Sequence, residues 1–363
     1  MLDFRLDDEQ QMLNETITRY ANERVRKVYR DAEEDGRIPP DVVQAGWEIG
    51  MLPTSIPEAY GGFGEYSAVT GAVATEAFAW GDLAVTLQVM VPNLAAVPLM
   101  LAGTEEQKAQ YLPLFVDEQA PAFTAALTEP LVRFNPYKLQ TTAVRDGEYY
   151  VINGSKTVVP LADEADMFLV YAREEEQTQA FLVPAASEGL EVGSRDKLMG
   201  IKALPTFLVT FSNVRVPAAN KLGGEAGIDF ASLLTHSRVA LGAAAVGVAR
   251  ASYEYAREYA KQRVQFGEPI AHRQSIAFML AEMATDVDEG RLLVWEAAWK
   301  LDQGQDAMKE AALMKLYIDR MVLAVADRAV QILGGYGYIR EYPVELWLRN
   351  ARGFASFDGL AII

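Results

Sequence analysis

Apolar positions change their spacing twice along the chain, and the changes divide it in three. From residue 7 to about 115 they follow a helical period, opening with Asp7 and Gln10 as a capping box before Met12, Leu13, Ile17 and Tyr20. Thr104 and Gln107 form a second box that starts another helix. Between them, residues 57–64 are rich in glycine. They read as a turn in preference to a phosphate cradle, because no strand precedes them and no Lys-Ser/Thr pair follows.

From about 120 to 222 the period moves toward two, with β-rich runs at 149–152, 168–171, 181–183 and 207–211. Turn signals stand at Asp146-Gly147, Asn153-Gly154 and Ser187-Glu188-Gly189. From about 227 the helical period returns in three long segments, 235–263, 274–302 and 306–333. In the second, Ile276, Leu280, Met283, Val287, Val294, Ala298 and Leu301 make the stripe of a helix packed in a bundle, and Gly334-Gly335 stops the third. The pattern predicts an α+β, mainly α fold: an N-terminal helical domain (1–119), a central antiparallel β barrel or sandwich (120–226) and a C-terminal antiparallel helical bundle (227–363). Without βαβ alternation, a Rossmann arrangement is not expected.

A formal net charge of -17 argues against nonspecific nucleic-acid binding, which rests on clustered Lys and Arg. A polyanionic ligand must therefore find local basic groups. With no cysteine and only two histidines, His236 and His272, no metal centre is expected and disulfides are excluded. The start shows no basic segment followed by an apolar one, and no run approaches the roughly 20 apolar residues of a membrane span, so a cytoplasmic location is expected.

The most specific chemistry lies in the last third: Arg263-Val264-Gln265-Phe266-Gly267, Gln331-Ile332-Leu333-Gly334-Gly335-Tyr336-Gly337, Glu341-Tyr342-Pro343, then Phe357-Asp358-Gly359. Upstream stand Thr104-Glu105-Glu106-Gln107-Lys108, Thr128-Glu129-Pro130 and Val214-Arg215-Val216-Pro217. In this order the series resembles the acyl-CoA dehydrogenase flavoprotein family, over nearly the whole chain. The resemblance implies FAD, an acyl-CoA thioester substrate, an electron-transfer flavoprotein as acceptor, and a homodimer or homotetramer. It assigns Asp358 as the base that removes the α-proton and Arg238 to substrate contact or orientation of that base. Thr128 is assigned to the flavin ring, and Arg263, Phe266, Gln274, Gln331, Gly334 and Gly335 to the distal end of a dinucleotide held across a subunit boundary. An arginine there makes charged, bidentate hydrogen bonds to phosphate.

The chain departs from the family pattern at the ring side. Aspartate stands where glutamate is usual, Val158 and Pro160 occupy the positions of a tryptophan and a threonine, and Arg133, Phe134 and Asn135 replace a Gly-Ser-Asp turn. Ser237, before Arg238, leaves the alternative base position without a carboxylate. After Ile363 relatives usually continue into a helix over the cofactor, so a more exposed cofactor or a covering partner is expected. Two functions follow: FAD-dependent α,β-desaturation of an acyl-CoA with Asp358 as base, or a non-catalytic partner subunit that lends cross-subunit contacts to FAD on a related chain, FAD being weakly held or shared.

Overall fold

The computed structural model describes residues 5–363. The Asp7 capping box is present, with Asp7 accepting from the Gln10 amide at 2.8 Å and Gln10 returning to the Asp7 amide, and it opens α1 (Asp8–Tyr20). Beyond a π-helical turn, α2 (Arg26–Asp35), α3 (Pro40–Trp47), α4 (Ala68–Gly81), α5 (Leu83–Val89), α6 (Asn93–Ala102) and α7 (Glu105–Tyr111) complete the first helical layer, α7 opening on the Thr104/Gln107 box. The glycine-rich stretch 57–64 is a turn. Its Gly61, Gly62 and Gly64 amides donate to Glu58, Pro57 and Ile56 carbonyls, which leaves them no role as an anion nest.

Seven strands make one curled sheet: β1 (Phe123–Ala126), β2 (Thr142–Asp146), β3 (Tyr149–Pro160), β4 (Met167–Glu174), β5 (Gln177–Pro184), β6 (Leu190–Arg195) and β7 (Thr206–Pro217). The sheet is mixed, not purely antiparallel. β5 runs antiparallel along one edge of β4, while β1 and the start of β2 pair parallel with β4 along the other. Asn153-Gly154 is a bulge inside β3, not a turn. A side chain at 154 would press on Thr141 at 2.5–2.8 Å, and the register against β7 shifts there.

The C-terminal bundle consists of α8 (Phe230–Gln262), α9 (Gln274–Asp302) and α10 (Met308–Leu333), with the hairpin β8 (Val264–Gln265) and β9 (Glu268–Pro269) between the first two and α11 (Val344–Ala351) after the third. α8 is long and apolar enough by composition to cross a membrane, yet 83% of its most apolar window is buried against α4, α9 and α10, as in the central helix of a folded core. Charged clamps fasten the two helical layers. Glu76 on α4 receives Arg291 of α9 through contacts of 2.8–3.1 Å, and the Arg26 guanidinium, 3.8 Å from the Trp80 ring centre, also faces the Trp347 ring of α11 at 5.4 Å.

Asp82 caps α5 from a fully buried site, accepting from the Val85 amide at 3.0 Å. Burial pushes its carboxyl up to about 6. Because the folded value exceeds the ordinary one, this group's contribution to stability falls as pH rises from about 4 to about 6 and is flat above. Asp82→Asn keeps the cap acceptor and removes the ionisation. The stability of the variant relative to the natural protein should therefore improve by about 2 kcal/mol between pH 4 and pH 7.5, read by urea unfolding at both pH values; a pH-independent difference would disprove the assignment.

Candidate active site

Asp358 sits where the three layers meet. The 3₁₀ turn Phe354–Ser356 delivers it, and Gly359 follows with φ +87°. A side chain at 359 would stand 2.9 Å from Leu127 Cβ, so glycine lets this loop press against the segment that leaves β1. Thr128 Oγ1 donates to the Asp358 carbonyl at 2.9 Å. The hydroxyl expected at a flavin ring is thus used here to tie the β layer to the loop that carries Asp358.

The Asp358 carboxylate is flanked by two cations. Arg238 Nη2 lies 3.9 Å from Oδ2, and Lys315 Nζ lies 3.9 Å from Oδ1. Lys315 is itself fixed by both oxygens of Asp319 and by the Phe354 carbonyl. Three polar atoms along this seam are buried without a hydrogen-bond partner: Asp358 Oδ1, Arg238 Nε and Ser237 Oγ. Unpaired buried polar atoms are costly, and their concentration at one junction marks a place built to meet something polar.

The segment carrying Thr128 is held from below. Lys156 Nζ, wholly buried, donates to the Leu127 carbonyl at 2.9 Å and to Glu129 Oε1 at 3.0 Å. Glu129 also accepts the Gln140 and Thr141 amides. Burial opposes its charge, but Lys156 and those amides prevail and keep the Glu129 carboxyl below its usual range. For Lys156 burial outweighs Glu129, and its ammonium is pushed down to about 8.

Across the bundle a groove of about 680 Å³ is lined by Arg263, Phe266, Arg273, Gly334, Gly335 and Tyr336 among others. Among the described residues no carboxylate pairs with Arg263, whose guanidinium lies 5.1 Å from the Tyr336 ring centre. Arg273 is the second cation, anchored to Glu268 at 3.0 Å. Side chains at Gly334 or Gly335 would meet nothing within 4 Å, so the backbone there is open to approach. Phe266 is 94% exposed at the hairpin tip. Gln274 and Gln331 lie outside this lining, at exposed positions on the first turn of α9 and the last turn of α10.

At the ring-side positions, Val158 adopts φ +55° beside a register shift in β3, a strained conformation for a β-branched residue. Its amide donates to Asp196 Oδ2, and the Pro160 carbonyl accepts from Thr124 Oγ1 at 2.6 Å. Neither position presents a side-chain hydrogen-bond donor.

The N-terminal, middle and C-terminal domain models of acyl-CoA dehydrogenase match residues 7–119, 124–214 and 227–361. The chain belongs to the acyl-CoA dehydrogenase family. Members of this family are oxidoreductases acting on CH–CH groups. Among its relatives, the caffeyl-CoA reductase-Etf complex subunit CarC of Acetobacterium woodii is 35% identical over 361 residues, which cover 93% of this chain and 94% of that protein. The butyryl-CoA dehydrogenase of Megasphaera elsdenii superposes with a TM-score of 0.90 at 30% identity, covering 99% of this chain and 96% of that one. The FAD complex of PigA superposes with a TM-score of 0.90 at 27% identity over the same shares.

Within this acyl-CoA dehydrogenase fold, the residues read from sequence as a base and its companion, Asp358 and Arg238, do lie together, and Arg263, Phe266, Gly334 and Gly335 share one groove. Lys315 and Arg273 escaped the sequence reading. Lys315 looks like half of an ordinary i,i+4 pair with Asp319, and only the arrival of residues 354–358 beside α10 reveals it. The spacing of Arg273 from Arg263, across a short hairpin that folds the chain back, was the one available signal.

Proposed function

We propose that the chain carries out FAD-dependent α,β-desaturation of an acyl-CoA thioester, or its reversal, with Asp358 as the base. The observation that carries this reading is the Asp358 carboxylate, which keeps one oxygen unpartnered at a three-layer junction between Arg238 and Lys315. A general base needs a free lone pair within reach of the proton it takes, and the two cations restrain the carboxylate's orientation. FAD, when bound, supplies the acceptor for the β-hydrogen as hydride. Arg263 and Arg273 would hold its diphosphate, with the open backbone at Gly334 and Gly335 beside it. Gln274 and Gln331 face outward and would reach only a cofactor held mainly by a neighbouring subunit.

Such a neighbour also accounts for exposed apolar side chains on the bundle, among them Phe278, Trp299, Leu313 and Leu316, each at least half exposed. The reading is a homo-oligomer that builds each FAD site from two chains. Its electrons would pass to an electron-transfer flavoprotein, a role supported by the name of the CarC relative.

Val158 and Pro160 favour a second reading, a partner subunit that lends the arginine groove to FAD on a related chain and does no chemistry of its own. An absorbance spectrum of the purified protein separates the two. Near-stoichiometric flavin bleached by an acyl-CoA supports the first; a colourless protein that gains flavin only when mixed with a related chain supports the second. In either case Arg263→Ala should weaken FAD retention about tenfold to a hundredfold, measured by titrating FAD into the apoprotein, alone for the first reading and mixed with the related chain for the second, since a charged hydrogen bond to phosphate contributes about 1.5–3 kcal/mol. Unchanged affinity would remove the groove from the site.

A further inference from the structure

The apolar space beside Asp358 is already filled by the chain itself. After Gly359 the backbone turns inward, and Leu360, Ala361, Ile362 and Ile363 are each at most 4% exposed. They lie between α4, α8 and the β layer. Ile363 packs on Gly71 so closely that a side chain there would stand 2.9 Å from its Cβ. The Ile363 backbone oxygen lies 2.9 Å from His236 Nδ1, which also meets the Tyr66 hydroxyl at 2.6 Å. That oxygen can only accept, so Nδ1 carries the hydrogen. Burial lowers the His236 imidazole below its ordinary value, in keeping with a neutral ring.

What remains open is a void of about 20 Å³, the size of one water molecule. It is bordered by Leu94, Tyr171, Phe230, Leu234, Ser237 and Ile362. Its walls are almost wholly apolar. One end reaches Gly359 and Ser237, whose hydroxyl is among the unpartnered atoms near the base. A hydrocarbon chain whose thioester approached Asp358 would run into this volume, and at present there is no room for it.

We infer that residues 360–363 are an internal occupant of the acyl pocket, and that an acyl chain enters only by displacing them. The inference rests on the reading of Asp358 as the base of an acyl-CoA site. Its consequence is a competition. Each methylene of substrate buried in the pocket would contribute about fourfold in affinity if the pocket were empty, but here it must replace contacts that Leu360, Ile362 and Ile363 already make. Affinity for acyl-CoA should therefore be nearly independent of chain length in the natural protein.

The test titrates butyryl-, hexanoyl- and octanoyl-CoA, and the octanoyl thioester of N-acetylcysteamine, into the natural chain and into an Ile362→Ala/Ile363→Ala variant, by calorimetry. Alongside it, hydrogen exchange is followed at the amides of 360–363 in the natural chain, which requires no variant to fold. The expected result is a flat series for the natural protein, a gain of about tenfold or more for hexanoyl-CoA in the variant, and faster exchange of the amides of 360–363 when ligand binds. Equal, length-dependent binding to both proteins with residues 360–363 still protected would overturn the inference and leave the acyl-CoA reading standing. Binding of the short thioester to the variant alone, with no CoA ester bound by either protein, would support the filled pocket and reject CoA. No binding of any thioester to either protein would reject both.

Discussion

Replacing Asp358 by asparagine is expected to lower the rate of flavin bleaching by an acyl-CoA about 10²- to 10⁴-fold while leaving the fold intact. Asparagine keeps the shape of the side chain but has no basic oxygen, and removal of a positioned general base costs about that factor. The carboxylate's surroundings make a purely structural effect small: its two nearest cations stand at 3.9 Å, beyond hydrogen-bond range, and Thr128 binds the backbone of residue 358, not its side chain. Asp358→Glu is informative in the opposite direction. The added methylene moves the oxygens by roughly an ångström, a displacement that can change rate by about a hundredfold. If the pocket is built around aspartate, the glutamate variant slows as well. If Asp358→Asn turns over at the natural rate with flavin bound, Asp358 is not the base and another group takes the α-proton.

The helices were the most legible part of this chain. The stripe from Ile276 to Leu301 predicts a helix over 274–302, and α9 spans those residues, with Met283, Val287, Val294 and Ala298 buried. Strands were harder where a tertiary neighbour decides. β1 is buried at all four positions, Phe123-Thr124-Ala125-Ala126, so no alternation marks it. Asn153-Gly154 has the chemistry of a two-residue turn, yet β7 extends past it and turns the same flexibility into a bulge. In the candidate site, motifs singled out Asp358 and Arg263 because their order along the chain is specific. Lys315 and the buried residues 360–363 carry no such order. Four small and branched apolar residues at 360–363 have no period, and only the seam between α4 and α8 gives them a place.

Lys156→Met is expected to destabilise the protein by about 3–5 kcal/mol, because it strands the Glu129 carboxylate in a buried site without its cation. The pair does more than balance charge. Lys156 binds the Leu127 carbonyl and Glu129 together, Glu129 takes the Gln140 and Thr141 amides, and the Thr157 amide reaches the Thr128 carbonyl. The three residues 127–129 are thereby held in one geometry, with the Thr128 hydroxyl on the carbonyl of the proposed base. Adding Glu129→Gln to Lys156→Met removes the stranded charge, keeps an oxygen for one amide, and should recover most of the lost stability in a double-mutant comparison by urea unfolding. Recovery of activity should be less complete. The neutral pair no longer ties the Leu127 carbonyl, so Thr128 loses part of its support against Asp358. A single-variant cost below about 1 kcal/mol would mean that the cation is dispensable there, and full recovery of both stability and bleaching rate would mean that the clamp does not position the base.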